Sequence, residues 1–289
     1  MSAAASNRPQ GAARALRRIL GEPLGALGII LVVLMLGGAI FADLLATADP
    51  NKISPRDRFL APSFEHFLGT DQLGRDLFSR VIHGGRIALS VALFATAASL
   101  FFGIILGLIA GYGPRWLDNL LILLFDSIKS FPTVMLALAL VTLFGPSLTA
   151  VVVVVVLVNV PGYARIVRTQ TLTLKSSEFV TAAQSMGASS ARILGVHIMP
   201  NVIGPLLILA SMDIPVVIAI EAGMSFLGLG VRPPTPSWGA ILNDGFTAIR
   251  DTPWIAIAGG LPIILTTLGF TFLGETLRDI FDPRLKARA

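Results

Sequence analysis

The chain has 289 residues, of which 54% are hydrophobic and only 13% are charged, and its formal net charge is +5. A soluble domain has about 25% charged residues, so this composition excludes an ordinary soluble protein and predicts a protein of the bilayer. Cysteine is absent, which excludes disulfides, thiolate metal sites and cysteine nucleophiles.

Six apolar segments follow one another along the chain, each near the ~20 residues that a helix needs to cross ~30 Å of hydrocarbon. They cover residues 24–46, 87–111, 117–144, 149–167, 202–220 and 254–273. The sequence VVVVVVLV at 151–158 favours a strand by propensity, but an isolated strand in lipid leaves its backbone unpaired, so a helix is predicted there too. The sequence therefore predicts an all-α membrane protein with six transmembrane helices.

These segments divide the chain into a tail (1–23), a first transmembrane helix (24–46), an outer loop (47–86), a five-helix core (87–275) and a second tail (276–289). Arg17 and Arg18 precede an apolar stretch, which leaves a cleaved signal peptide as an alternative for the first segment. That stretch is longer than the usual 7–15 apolar residues of a signal peptide, so a retained helix is the preferred interpretation.

Basic residues are divided unequally between the two faces of the membrane. Thirteen lie on the face that carries both termini: Arg8, Arg14, Arg17, Arg18, Arg115, Arg165, Arg168, Lys175, Arg192, Arg278, Arg284, Lys286 and Arg288. Eight lie on the other face: Lys52, Arg56, Arg58, Arg75, Arg80, Arg86, Arg232 and Arg250. The positive-inside rule then predicts that both termini are cytoplasmic. The net charge is explained by topology, and no nucleic-acid partner is expected.

Two outer segments carry recognisable patterns. LGTDQLGRDLFSRVIHGGRIALS, residues 68–90, offers Thr70 or Asp71 as the cap of a helix that begins near Gln72. SFLGLGVRPPTPSWGAIL, residues 225–242, contains three prolines that forbid regular helix. We expect this second segment to be a covering or re-entrant loop at the mouth of a pore.

Few ionisable residues fall inside the predicted helices. Asp126 and Lys129 are three residues apart and are expected to share a helix face and pair. Asp213 stands alone in the fifth apolar segment, where an ionisable group is costly. It marks either a translocation pathway or a packing contact with a partner helix. Pro161 and Gly162 predict a kink or, preferably, the end of the fourth helix.

One small-residue segment, EFVTAAQSMGASSARILGVHIMPN at 178–201, lies between two strongly apolar runs. Together with residues 68–90 and 225–242, it resembles the second permease subunit of dipeptide, oligopeptide and nickel ABC importers, and GETLRDIFDPRLK near the C-terminus matches the same group. The segment itself resembles their EAA loop, here assigned to residues 168–200. Thr181 stands where the family's first glutamate is usual, and Met199 replaces the usual leucine before Pro200.

The resemblance implies a type I importer permease fold and a loop helix around residues 182–192 that docks on an ATPase subunit. The residues implied in coupling are Glu178, Thr181, Ala182, Ala183, Gly187, Ala188, Arg192 and Pro200. The implied partners are a second permease subunit, two ATPases that bind ATP and Mg²⁺, and a solute-binding protein. A bacterial inner membrane is implied as well. No phosphate-binding G-x-x-x-x-G-K-[ST] loop occurs in this chain, so no cofactor is expected in it.

Two other function classes stay open from the residues alone. A secondary transporter driven by an ion gradient needs broken helices and polar groups at the membrane midplane, and Asp213 is the main candidate for such a group. An intramembrane hydrolase needs a catalytic pair, and Asp213 has no evident partner in the sequence. The cargo is not indicated by any motif.

Overall fold

The computed structural model describes residues 17–281, and the part it describes is helical without any strand. The tail residues Arg8 and Arg14 and the stretch 282–289 lie outside the described residues. The helices are α1 Pro23–Ile40, α2 Leu77–Tyr112, α3 Arg115–Ser130, α4 Thr133–Phe144, α5 Leu148–Lys175, α6 Glu178–Ser185, α7 Met199–Phe226, α8 Trp238–Thr247 and α9 Trp254–Phe281. Short helical turns occur at Ala42–Leu45, Pro55–Asp57, Ser190–Arg192 and Ile193–Ile198.

Five of the described helices, α1, α2, α5, α7 and α9, are long and apolar enough to cross a membrane. The predicted third segment, 117–144, is not one straight helix, because α3 and α4 meet at an angle of 93° and give a sixth crossing only as a bent pair. Pro132 explains the break. Proline lacks an N–H and pushes the preceding residue out of the helical region, and Phe131 has the extended angles φ −83° and ψ 132°.

The second span begins earlier than its apolar composition indicates. Asp76, and not Thr70 or Asp71, caps α2, because its carboxylate accepts the Ser79 N–H at 2.8 Å. The last ten residues of the predicted outer loop therefore belong to the helix. Asp71 instead binds within the loop, where it accepts the Leu73 N–H and the Arg75 side chain.

The helix end predicted at Pro161 and Gly162 is wrong, since α5 continues through both residues to Lys175. Pro161 is buried, and the residues after it pack closely against α2. A proline ends a helix when no tertiary packing stabilises the turn that follows it. Here tertiary packing beyond the proline keeps the chain helical.

A seam of small residues joins α2 to α5. A Cβ on Gly103 would overlap Tyr163, one on Gly107 would lie 2.5 Å from the Val167 Cβ, and one on Gly111 would lie 2.7 Å from the Thr171 Cβ. From one pair to the next, the residue number rises by four on both helices, so α2 and α5 run in the same direction. Small residues at every fourth position let helix backbones approach closely, and the resulting van der Waals packing favours helix association in lipid, where the hydrophobic effect contributes little.

Candidate coupling surface

The segment after α5 forms a short helix and a tight turn. Helix α6 ends in a Schellman motif, in which the Gly187 N–H donates to the Gln184 carbonyl at 2.9 Å and the Ala188 N–H to the Ala183 carbonyl at 3.0 Å. Gly187 has φ +80°, a conformation that side chains with a Cβ rarely adopt. The helix expected at 182–192 is therefore wrong in its position, because the turn at Gly187 divides that range.

The inner side of this segment is anchored in the chain's own core. Val180 and Ala183 on α6 are buried, as are Ile193 and Ile198 after the turn. All but Ala183 belong to one apolar cluster, which also contains Tyr163, Val167, Val202, Leu206 and Ala210 from α5 and α7. The segment is therefore fixed to both long helices.

The outer side of the segment is uncovered. Of the residues predicted to couple, six are exposed: Glu178, Thr181, Ala182, Gly187, Arg192 and Pro200. Ala188 is half-buried, whereas Ala183 is buried and is removed from the predicted contact face. Two identical neighbours, Ala182 and Ala183, thus differ in burial, one exposed and the other buried.

Sequence reasoning missed two members of the exposed surface. Phe179 is 47% exposed and Met186 is 82% exposed, and both are too large and apolar to be expected facing water. The spacing of Phe179, Ala182 and Met186 places them on one face of α6, and this periodicity was the signal for finding them.

The end of α5 that carries α6 is tied to its neighbours by charged groups. The Arg168 guanidinium binds both Asp118 oxygens, with Nη2 donating at 2.7 Å. Lys175 donates to the Tyr112 carbonyl at 3.1 Å and its Nζ lies 4.8 Å from the Tyr112 ring centroid. Bidentate and cation–π contacts of this kind restrict movement of α5 relative to α2 and α3.

The intramembrane charges are arranged differently from the expectation. Asp126 pairs with Arg165 of α5 and not with Lys129. Asp213 is half-buried on α7, and the buried hydroxyl of Tyr163 on α5 makes no hydrogen bond of 3.5 Å or less among the described residues. Lys129 is exposed, and within the described residues no ion pair of 4.0 Å or less joins it to Asp213 or to Asp126.

On the opposite side of the protein, carboxylates organise the outer loop. Burial alone would raise the pKa of Asp76, but hydrogen bonds from the Ser79 N–H, His66, the Ser79 hydroxyl and the Thr47 hydroxyl outweigh it and hold that pKa below its usual range. The Arg86 guanidinium, bound to both Asp43 oxygens, lowers the pKa of Asp43. Both groups stay ionised and keep the loop attached to α1 and α2.

The sequence profile of the family described as "Binding-protein-dependent transport system inner membrane component" matches residues 103–287. The chain belongs to this family. Its relatives include the dipeptide transport system permease protein DppC of Alkalihalophilus pseudofirmus, 39% identical over 273 residues that cover 94% of this chain and 90% of the relative. The glutathione transport system permease protein GsiD of Pectobacterium atrosepticum is 39% identical over 272 residues, with coverage of 94% and 90%.

A third relative, the di/tripeptide transport system permease protein DppC of Pseudomonas aeruginosa, is 38% identical over 273 residues, covering 92% of this chain and 90% of the relative. Among solved structures, the inward-facing MetNI methionine ABC transporter matches with a TM-score of 0.49 and 18% identity over 67% of this chain and 94% of that chain.

Family membership confirms the resemblance predicted from the sequence motifs and the prediction of an all-α importer permease of the inner membrane. It also favours this interpretation over the ion-gradient transporter, because the family and all three relatives are named as components of transport systems with permease subunits.

Proposed function

We propose that this chain is one of the two permease subunits of an ATP-driven importer for peptides or similar small solutes, and that it forms half of the translocation pathway. The observation that carries the proposal is the segment 178–201. It combines an inner side packed in the chain's own core with an outer side of small and apolar groups that no described residue covers. The peptide and glutathione transport named for the relatives supports the class of solute.

In this proposal, α6 and the Gly187 turn dock on an ATPase subunit. The side chains that meet the ATPase are Glu178, Phe179, Thr181, Ala182, Met186 and Arg192, all of them exposed. ATP and Mg²⁺ bind to the two ATPase subunits. When these close, they displace α6, and the packing of Val180 and Ile193 against Val167 transmits the displacement to α5 and α7.

The remaining partners follow from the same assembly. The second permease is a different chain that packs against exposed apolar helix surface. A solute-binding protein docks on the outer loops, and lipid surrounds the rest. Both termini face the cytoplasm, because the basic residues concentrate on that side.

The assembly is tested by purifying the tagged chain from native membranes in mild detergent and identifying its companions by mass spectrometry. We expect one or two ATPases with nucleotide-binding loops and a second permease. A chain that is recovered alone under these conditions contradicts the proposal.

The docking surface is tested with a matched pair of substitutions. Ala182→Trp adds bulk on the exposed face of α6, whereas Ala61→Trp adds the same bulk at an exposed alanine of the outer loop. We expect Ala182→Trp to lower the recovery of ATPase about tenfold or more, the effect of disrupting a central contact, and Ala61→Trp to leave it unchanged. Equal recovery from both variants would place the ATPase contact elsewhere.

A further inference from the structure

A cavity lies where the outer loop meets the outer ends of α1 and α2. It has a volume of about 330 Å³, and residues of α1, α2, α8, α9 and the outer loop line it. One wall is the indole of Trp238, the first residue of α8, which is only 2% exposed. A Cβ on Gly85 would lie 3.1 Å from Cζ2 of this ring, so the glycine allows the indole to lie close to the α2 backbone.

The walls of this cavity are apolar throughout. Every described residue that lines it is either a glycine or an apolar residue such as Met35, Phe78 or Trp238. The one polar side-chain group among them is already satisfied, because the Trp238 Nε1–H donates to the Val81 carbonyl at 2.8 Å. Apolar cavities stay free of water and take up apolar ligands. The cavity is therefore unsuited to a polar solute.

The mouth of the cavity is continuous with an uncovered face of α1. Two lining residues are strongly exposed, Leu34 by 58% and Leu45 by 48%, and Ile30, one turn before Leu34 on the same face, is 60% exposed. The other face of α1 packs against α9, where a Cβ on Gly28 would lie 2.8 Å from the Leu273 nitrogen. Because α1 is long and apolar enough to cross the membrane, its uncovered face contacts lipid.

A charged pair beside the cavity indicates its depth in the membrane. The Arg86 Nε donates to the carbonyl of Ala39, a cavity residue, at 2.7 Å, and the Arg86 Nη atoms bind both oxygens of Asp43 at 3.0 and 2.8 Å. The Asp43 side chain is 76% exposed. Charged side chains at the ends of membrane helices lie at the level of the lipid headgroups. The lining residues of α1 precede Asp43 and therefore lie at the depth of the acyl chains.

We propose that this cavity binds one acyl chain of a membrane phospholipid, which enters between Leu34 and Leu45 and reaches Trp238. Lipid is the occupant that the observations favour, because the mouth joins a lipid-facing surface and the walls offer no polar partner. The inference goes beyond the proposed function, since this ligand is bound and not transported. The bound chain contacts both α1 and α8, so it becomes part of the packing around α8.

Photochemical cross-linking in native membranes tests the site. Cells incorporate a fatty acid with a diazirine in its chain into their phospholipids, the membranes are irradiated, and mass spectrometry assigns the cross-linked residues of the tagged chain. We expect cross-links at Val33, which is 62% exposed on α1, and also at Trp238, whose 2% exposure leaves the cavity as the route for lipid. Cross-links at Val33 without any at Trp238 overturn the proposal.

Two adjacent glycines provide matched variants. Gly38 lines the cavity and Gly37 does not, and a Cβ on either would meet nothing within 4 Å among residues 17–281. We expect Gly38→Phe to lower cross-linking at Trp238 about tenfold, because overfilling a site costs enough for such a change, and Gly37→Phe to leave it unchanged. Unchanged cross-linking at Val33 shows that α1 is inserted normally in both variants. Equal cross-linking of Trp238 in the two variants contradicts entry of the chain into the cavity.

A smaller substitution separates filling of the cavity from loss of the glycine. Gly38→Ala adds one methyl group and leaves most of the cavity open, so we expect cross-linking at Trp238 to persist in this variant. If Gly38→Ala and Gly38→Phe abolish it equally, a local change in α1 controls access to Trp238, and occupation of the cavity by an acyl chain is rejected.

Discussion

Gly187 shows how one residue type supports two different explanations. The family resemblance implies that Gly187 takes part in coupling, where its small size would let an ATPase approach closely, whereas the structure shows that its backbone has φ +80° in the turn after α6. A Cβ at this position would meet nothing within 4 Å among residues 17–281. Within this chain, the positive φ of the turn therefore explains why position 187 is a glycine.

The two explanations predict different variants. Asn tolerates positive φ, whereas a β-branched side chain is strained there by about 1–2 kcal/mol. We expect Gly187→Asn to retain ATP-driven uptake and Gly187→Val to lose it, with both variants inserted normally in the membrane. The measurement is uptake normalised to the amount of inserted chain. If Asn abolishes uptake as completely as Val, close approach of the ATPase limits this position instead.

Other residue-level features were outside the reach of sequence. Ala182 and Ala183 are chemically identical, and only the packing of Val180 and Ala183 toward the core shows which alanine is exposed. The pairing of Asp126 with Arg165 joins residues 39 positions apart, on α3 and α5. The three-residue spacing in the sequence favoured Lys129 as the partner of Asp126, because spacing along the chain gives no information about contacts between helices.

At the scale of the helices, hydropathy located the five long apolar helices of the described residues, but it missed the break between α3 and α4 and several helix boundaries. Apolar composition marks the part of a helix that contacts lipid, so the start of α2 at Leu77 and the end of α5 at Lys175 extended beyond the predicted segments. Two prolines also had opposite effects. Pro132 ends α3 where the neighbouring residues are exposed, whereas α5 passes through the buried Pro161. The surroundings, which sequence does not show, decide between these outcomes.

The seam between α2 and α5 gives a prediction at this scale. A methyl group on Gly107 would lie 2.6 Å from the Ala164 carbonyl oxygen, whereas one on Gly162 of α5 meets nothing within 4 Å. We expect Gly107→Ala to destabilise the protein by about 1–3 kcal/mol through overpacking. Gly162→Ala is the control and should be neutral or stabilising, because alanine favours helix.

Thermal unfolding of the two purified variants in the same detergent measures the difference. A lower midpoint for Gly107→Ala alone supports close packing of the seam. Equal midpoints for both variants would mean that the two helices are free to separate at Gly107.

At the scale of the whole molecule, the charge distribution predicts the orientation. Lys52 lies in the outer loop and Ser185 lies on the coupling segment, and both are exposed. In intact spheroplasts we expect a membrane-impermeant thiol reagent to label Lys52→Cys and to label Ser185→Cys only after permeabilisation. The reverse pattern would invert the topology and remove the coupling segment from contact with a cytoplasmic ATPase.

The parallel seam also has a consequence for how the protein is made. Gly103 and Tyr163 are in contact but are 60 positions apart, and the helices α3 and α4 lie between them in the chain. At ~5–20 residues per second of synthesis, the partner surface emerges roughly 3–12 s after the glycines have entered the membrane. During that interval lipid or an insertion factor must occupy the groove along α2. Biogenesis therefore passes through a stage in which the closely packed seam between α2 and α5 is still open.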